Sequence, residues 1–293
     1  MNAAKMRFIL FNLARNAYRT AQYALKQINP NYSPKSGSLF IGGGGTNNAG
    51  YCKGVWQTHI EAYKRFASPI TPLRVAEFGP GNTIGSGLCA LLDGACEYYA
   101  FDAYSYSDND GALALLDKLI KLCDYDKNRS DRIVRVLNGE KDEAIKINYV
   151  APWENTATLP KADFIFSQAV LEHVDNLKKF YEAQAQILDR GGLCSHQIDF
   201  RSHGETFEWN GHWAISLNRW RKIRYIRPYS INREPLSTHL KLLKQNGFEI
   251  LNIQTVADKK LISIDRRRLA PEFANLSDED FTTSSALIVA RKA

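Results

Sequence analysis

No aspartate or glutamate precedes Glu61, although the 293-residue chain holds 31 acidic and 38 basic residues. The acid-free leader carries Lys5, Arg7, Arg15, Arg19, Lys26, Lys35 and Lys53, which accounts for the whole formal excess of +7. The rest of the chain is balanced: 38 basic residues minus these 7 leaves 31, against 31 acidic ones. A broad nucleic-acid surface would leave a basic excess there, so the balance argues against one. Long apolar runs are also missing, and nothing approaches the roughly 18 to 20 residues that span a bilayer. The five cysteines, Cys52, Cys89, Cys96, Cys123 and Cys194, are odd in number and lack C-x-x-C spacing. Neither a disulfide framework nor a thiolate zinc site is indicated, and a reducing compartment is expected. Gly42 to Gly45 are not followed by Gly-Lys-[Ser/Thr], which excludes a P-loop.

What the leader does contain is a stretch from Met6 to Ile28 without Gly or Pro, rich in Phe, Leu, Ala and Tyr, and ending before Asn29-Pro30. This predicts a helix. It reads as an accessory helix packed on the domain, as an organellar transit peptide, whose Arg-rich and acid-free character it shares, or, over residues 5–28, as a basic amphipathic segment on an anionic membrane surface. Asn29 to Gly50 reads as a linker. Tyr51 to Phe66 has helical spacing, with Trp56, His59 and Tyr63 facing either a site or the core.

The richest segment runs from Leu73 to Asp102. An apolar run, Leu73-Arg-Val-Ala-Glu-Phe78, enters Gly79-Pro80-Gly81-Asn82-Thr83-Ile84-Gly85; a helix-like stretch and Tyr98-Tyr99-Ala100-Phe101-Asp102 follow. Strand, glycine turn, helix, strand and terminal acid make a mononucleotide-binding βαβ half, in which an acid ending the second strand binds a ribose diol. Pro80 removes a backbone N–H that a pyrophosphate cradle would use, and Ile84 stands where a dinucleotide site wants its third glycine. A ligand without phosphates fits better. Glu77 suits one carrying positive charge, such as an amino group or a sulfonium.

Three motifs in order then resemble the class I S-adenosylmethionine-dependent methyltransferases. Glu77, Gly79 and Gly81 match the first, with Thr83 where a third glycine is usual. Asp163-Phe-Ile-Phe-Ser167-Gln168-Ala-Val-Leu171-Glu172-His173-Val174 looks like that family's fourth strand and following turn. Phe180 to Leu193, with Gly191-Gly192, looks like the helix and double-glycine turn before its fifth strand. The resemblance implies an α/β, Rossmann-like, doubly wound, seven-stranded, mostly parallel sheet with an antiparallel last strand. An N-terminal helical extension and linker (1–50) would precede a catalytic domain (51–293), with a lid insertion at about 204–235 after strand 5. It implies S-adenosylmethionine as cofactor, held by Glu77, Gly79, Gly81, Asp102, Ser167 and Gln168. Pro152, or Trp153 beside it, would border the adenine. Ile145 to Val150 is preferred over Arg132 to Val136 as the third strand, because it precedes the fourth at a short interval.

Acceptor residues should follow strands four and five, since ligands in open α/β sheets sit beyond the strands' carboxyl ends. His173, Asp199 and His203 are the candidate catalytic groups, Asp199 and His203 at the mouth. A base there would assist a hydroxyl acceptor by roughly 10²- to 10⁴-fold. Asp199 and His203 as ligands of a divalent cation is an alternative, but two ligand types in one segment are too few, and no metal is assigned. Phe207 to Arg233 interleaves Trp209, Trp213, Trp220, Tyr225 and Tyr229 with arginines, which suits a carbohydrate or anionic acceptor. The expected activity is O-methylation of a glycan or lipid-linked sugar by a cytoplasmic protein, peripheral at the inner face of a membrane. Methylation of a small molecule or RNA, and a non-catalytic cofactor-binding scaffold, are the alternatives.

Overall fold

The computed structural model describes residues 45–67, 73–103, 105–153, 159–226 and 230–293, with twelve helical positions between 6 and 28. Most of the predicted linker, Arg227 and Tyr229 lie outside the described residues. The core begins with helix α1 (Ala49–Phe66), which starts two residues before the predicted boundary because the Asn48 side chain caps it by accepting from the Tyr51 amide. Strand β1 (Arg74–Phe78), helix α2 (Gly85–Leu92) and strand β2 (Glu97–Phe101) follow. Helices α3 (Asn109–Leu122) and α4 (Lys127–Leu137) lead to β3 (Lys146–Val150). The competing strand candidate, Arg132 to Val136, is inside α4, where Ile133 and Leu137 point into the core at helical spacing. Then come β4 (Ala162–Gln168), α5 (Leu177–Ile187), β5 (Leu188–Asp199), α6 (Leu217–Ile226), α7 (Leu236–Gln245), β6 (Phe248–Val256), α8 (Asp278–Thr282) and β7 (Ser285–Lys292).

The seven strands form one sheet in the order β3-β2-β1-β4-β5-β7-β6. β7 runs antiparallel to both of its neighbours, and the other pairings are parallel. The predicted Rossmann-like sheet is therefore the one observed. Buried on both faces, β1, β2 and β4 are mostly apolar or aromatic, as expected of central parallel strands, and their buried polar residues Glu77, Asp163 and Ser167 are hydrogen-bonded. The edge strand β3 is wetter, and Lys146 on it pairs with Glu97 on β2.

Alternation along the strands sorts the core into two layers. Val75, Tyr98, Phe164 and Phe166 face α1 to α4, while Ala76, Phe78, Phe101 and Ile165 face α5 and α7. All eight residues of α2 are buried, and a Cβ at Gly87 would collide with the Tyr98 ring. Gly87 thus lets α2 lie directly on the sheet, which sets where the glycine turn before it stands. A third cluster joins Trp209 and Trp213 to Leu276, Leu269 and Phe273, so the insertion after β5 packs on the segment between β6 and β7.

Candidate active site

Two groups of residues gather at the carboxyl ends of the strands. The first surrounds the turn after β1. Gly79 and Gly81 have φ of +70° and +76°, which L side chains rarely adopt. A Cβ at Gly79 would stand 2.5 Å from Val170. Asp102, 7% exposed at the end of β2, accepts from the Ala103 amide at 2.7 Å and lies 3.4 Å from that of Gly81. Its carboxylate and the glycine backbone therefore line one recess. Thr83 is off the family pattern for a visible reason: its hydroxyl donates to the Thr46 carbonyl, and the Thr46 hydroxyl accepts from the Asn82 amide at 3.1 Å. The chain before α1 is thereby fastened across the turn, a contact that no motif signals.

Several expected cofactor contacts are repositioned. Glu77 is buried beneath the turn and accepts from Tyr98 Oη at 2.5 Å, so it supports the recess from below. Burial pushes its carboxyl up to about 8, with the Tyr98 bond pulling the other way and Asp102 adding to the rise. Ser167 does not border the recess. Successive strand residues point to opposite faces, and its hydroxyl lies 2.8 Å from His196 Nδ1, inside the α5 layer. Gln168 points the other way, with Oε1 3.3 Å from Nε2 of the buried His59, whose Nδ1 is 2.8 Å from Ser195 Oγ. His59 is thus a buried tie between α1, β4 and β5. Trp56 and Tyr63 pack on Phe164. Pro152 is exposed on the loop after β3, and the half-buried Trp153 packs edge-on to Phe78 and Phe180.

The second group lies after β4 and β5. A single 3₁₀ turn, Leu171–His173, carries Glu172 and His173. It is clamped from the insertion by Asn232, whose amide donates to the Glu172 carbonyl at 2.6 Å and whose side chain donates to the carbonyls of Leu171 and Val174. His203, in left-handed backbone with φ +49°, turns its Nε2 to within 3.3 Å of Asp199 Oδ2 and 3.9 Å of Glu172 Oε1. The His173 and His203 rings are 5.0 Å apart. All three predicted catalytic residues therefore meet, joined by Glu172.

Arg201 grips Asp199 through two guanidinium nitrogens. Burial alone would raise the Asp199 pKa, but the hydrogen bonds from His203 and Arg201 prevail and hold it below the ordinary carboxylate range. Glu172 behaves oppositely: burial drives its pKa well above that range, against the pull of the amides at 172 and 199. An open cleft of about 530 Å³ adjoins the group, lined by Asp199, Arg201, His203, Phe207, Trp209 and Lys260 among others.

Two of the insertion's other aromatics are not a stacking surface. Trp213 and Trp220 are buried, with indole nitrogens donating to the carbonyls of Arg233 and Ile231. The Arg233 guanidinium lies over Trp220 and Phe273, so this part of the basic and aromatic pattern is an internal scaffold.

A family model for the methyltransferase domain matches residues 54–253, more than half of the chain. The chain belongs to that family: it is a methyltransferase whose cofactor is S-adenosylmethionine. Among solved structures, an S-adenosylmethionine-dependent methyltransferase from Mesorhizobium loti is 15% identical over 79% of this chain and 96% of its own, with a TM-score of 0.44. Magnesium protoporphyrin IX methyltransferase from Synechocystis PCC 6803 is 14% identical over 96% and 99%, at 0.45. Geranyl diphosphate C-methyltransferase from Streptomyces coelicolor A3(2) is 13% identical over 82% and 79%, at 0.47. No curated protein matches the chain.

Proposed function

We propose that this methyltransferase acts on a hydroxyl of a glycan or lipid-linked sugar, with Asp199, His203 and His173 handling the acceptor. The observation that carries the reading is the Asp199–His203 pair in the wall of a cleft that also offers Phe207, Trp209 and Lys260. Aromatic and basic groups together suit sugar rings and their anionic substituents. When bound, the cofactor supplies a methyl group already activated on a sulfonium, so alignment supplies most of the rate. Gly79, Gly81, Asp102 and Gln168 would hold it: the recess admits backbone approach at the glycines and presents a carboxylate to a ribose diol. Asp199 Oδ2 favours a proton on His203 Nε2, leaving Nδ1 to take the hydroxyl proton and pass it to water.

The membrane part of the reading has its own support. Among the described residues, no helix is long and apolar enough to cross a membrane. Met6, Leu10, Phe11, Leu25 and Ile28 are exposed helical residues in a segment whose charges are all basic. That combination suits a cytoplasmic protein resting on an anionic bilayer face.

The test is to incubate the protein with methyl-labelled cofactor and a panel of oligosaccharides, lipid-linked sugars, phenols, amines and RNA. Label in an alkali-stable ether on a sugar is the expected result. Label confined to nitrogen or RNA, or cofactor binding without transfer to any acceptor, would sink it.

A further inference from the structure

We infer a divalent-cation site on the acceptor side, built from Glu172, His173 and His203, with Asp199 behind His203. One ligand atom from each of the three lies within 4.8 Å of the others. They come from two segments brought together only by the fold: the turn after β4 and the loop after β5. The independent sign that something charged belongs between them is Glu172. Its side chain is 3% exposed, and neither carboxylate oxygen accepts a hydrogen bond of normal geometry. A buried carboxyl left in that state is costly, and such groups are ordinarily paired or bound to a metal.

The donor set points to a class of ion. Two imidazoles and a carboxylate suit a first-row divalent metal such as Zn²⁺ or Mn²⁺; all-oxygen sites are the preference of Mg²⁺ and Ca²⁺. Bonds of about 2.1 Å place tetrahedral ligands about 3.4 Å apart, so the group needs to close by roughly 1 Å. Asp199 is better placed as an orienting partner than as a fourth ligand. Arg201 already occupies both of its oxygens, and Oδ2 lies 3.3 Å from His203 Nε2, the carboxylate–histidine arrangement that backs many metal sites. Three protein ligands leave a coordination position open, which distinguishes catalytic from structural sites. That position would be available to an acceptor oxygen, and a cation there lowers a hydroxyl's pKa.

This last consequence rests on the sugar O-methylation reading, and in it His203 serves as a ligand rather than as the base. The hydroxyl proton then leaves to water in the cleft. The site itself does not depend on what the acceptor is.

The full chain, stripped with chelator, is titrated with Zn²⁺ and separately with Co²⁺, whose visible absorption reports its ligand field. Cofactor binding is measured on each sample as the check of folding. One equivalent per chain is expected, weakened at least 10-fold in both Glu172→Gln and His203→Ala while cofactor affinity stays unchanged. No saturable binding up to millimolar metal, or binding in both variants equal to that of the wild type, overturns the site. Specific metal binding in a protein that methylates no sugar leaves the site standing and removes the substrate reading.

Discussion

The two groups of residues at the carboxyl ends of the strands are built by different means. At the ends of β1 and β2, the recess consists of backbone: two left-handed glycines, amides and one carboxylate, with Thr46 and Thr83 fastening the turn. Beyond β4 and β5, the second group consists of side chains, four ionisable residues crowded together, among them Glu172, a buried carboxyl whose oxygens accept no hydrogen bond of normal geometry. A backbone site fixes a ligand that never changes. A side-chain site varies its chemistry without disturbing the sheet, so the conserved need and the particular need are met in separate places.

This division is broken most severely at Gly79. Arginine there must adopt φ of +70° and clear Val170, so Gly79→Arg is expected to abolish cofactor binding measured by calorimetry, with the fold retained by circular dichroism. Asp199→Asn is the contrasting variant. It leaves the cofactor dissociation constant within about twofold and lowers turnover on about the 10²-fold scale of general acid–base groups. If Asp199→Asn weakens the cofactor as much as it slows turnover, the two sides are not separable as described.

The backbone side was also the side that the sequence makes legible. A glycine turn between an apolar run and a helix is local, and its spacing survives in one dimension, as do the alternating strands and Gly247 after α7, whose φ of +80° ends that helix. What local patterns do not carry is orientation. Ser167 and Gln168 are neighbours, yet one faces His196 and the other His59 on opposite sides of the sheet. Trp213 and Trp220 look like recognition aromatics until their burial is seen. His173, Asp199 and His203 were each visible as candidates, but the link through Glu172 joins residues about thirty positions apart. Only the adjacency of Glu172 to His173 hinted at it.

Buried imidazoles give a subtler test, because they tie the sheet together behind Ser167 and Gln168. Burial depresses His59 to about 4, and His196 and His239 to about 3, from an ordinary 6.5. Above pH 6.5 these rings are neutral both folded and unfolded, and stability is at its full value. As pH falls through that range the unfolded chain takes up protons that the folded one refuses, so stability declines until about pH 4 for His59 and lower for the others. The His59 shift alone corresponds to a loss on the order of 3 kcal/mol. Glu77 and Glu172, whose carboxyls burial raises, change stability in the opposite sense over the same range, so the imidazole contribution is read as the difference between wild type and His59→Gln in thermal unfolding from pH 7.5 to 4. A difference that does not change with pH would mean that His59 gains its proton without unfolding.

The smallest effect on chemistry is expected from the leader, and that is why it sharpens the contrast. Among the described residues there, Ile28 is 81% exposed and Leu10 60%, while Asn12 is buried. Exposed apolar groups beside an all-basic charge pattern have more to gain from a bilayer than from water, each Lys or Arg near an anionic surface contributing about 1 kcal/mol. Removing residues 1–28 should abolish sedimentation with phosphatidylserine-containing vesicles at low salt. Cofactor affinity and turnover of a soluble sugar acceptor should change by less than about twofold, since none of the residues in either group comes from this segment. Vesicle binding that persists in the shortened chain would move the membrane contact onto the catalytic domain. Turnover that collapses with full cofactor binding would make the helix part of the acceptor side, and the separation between that side and its surroundings would have to be redrawn.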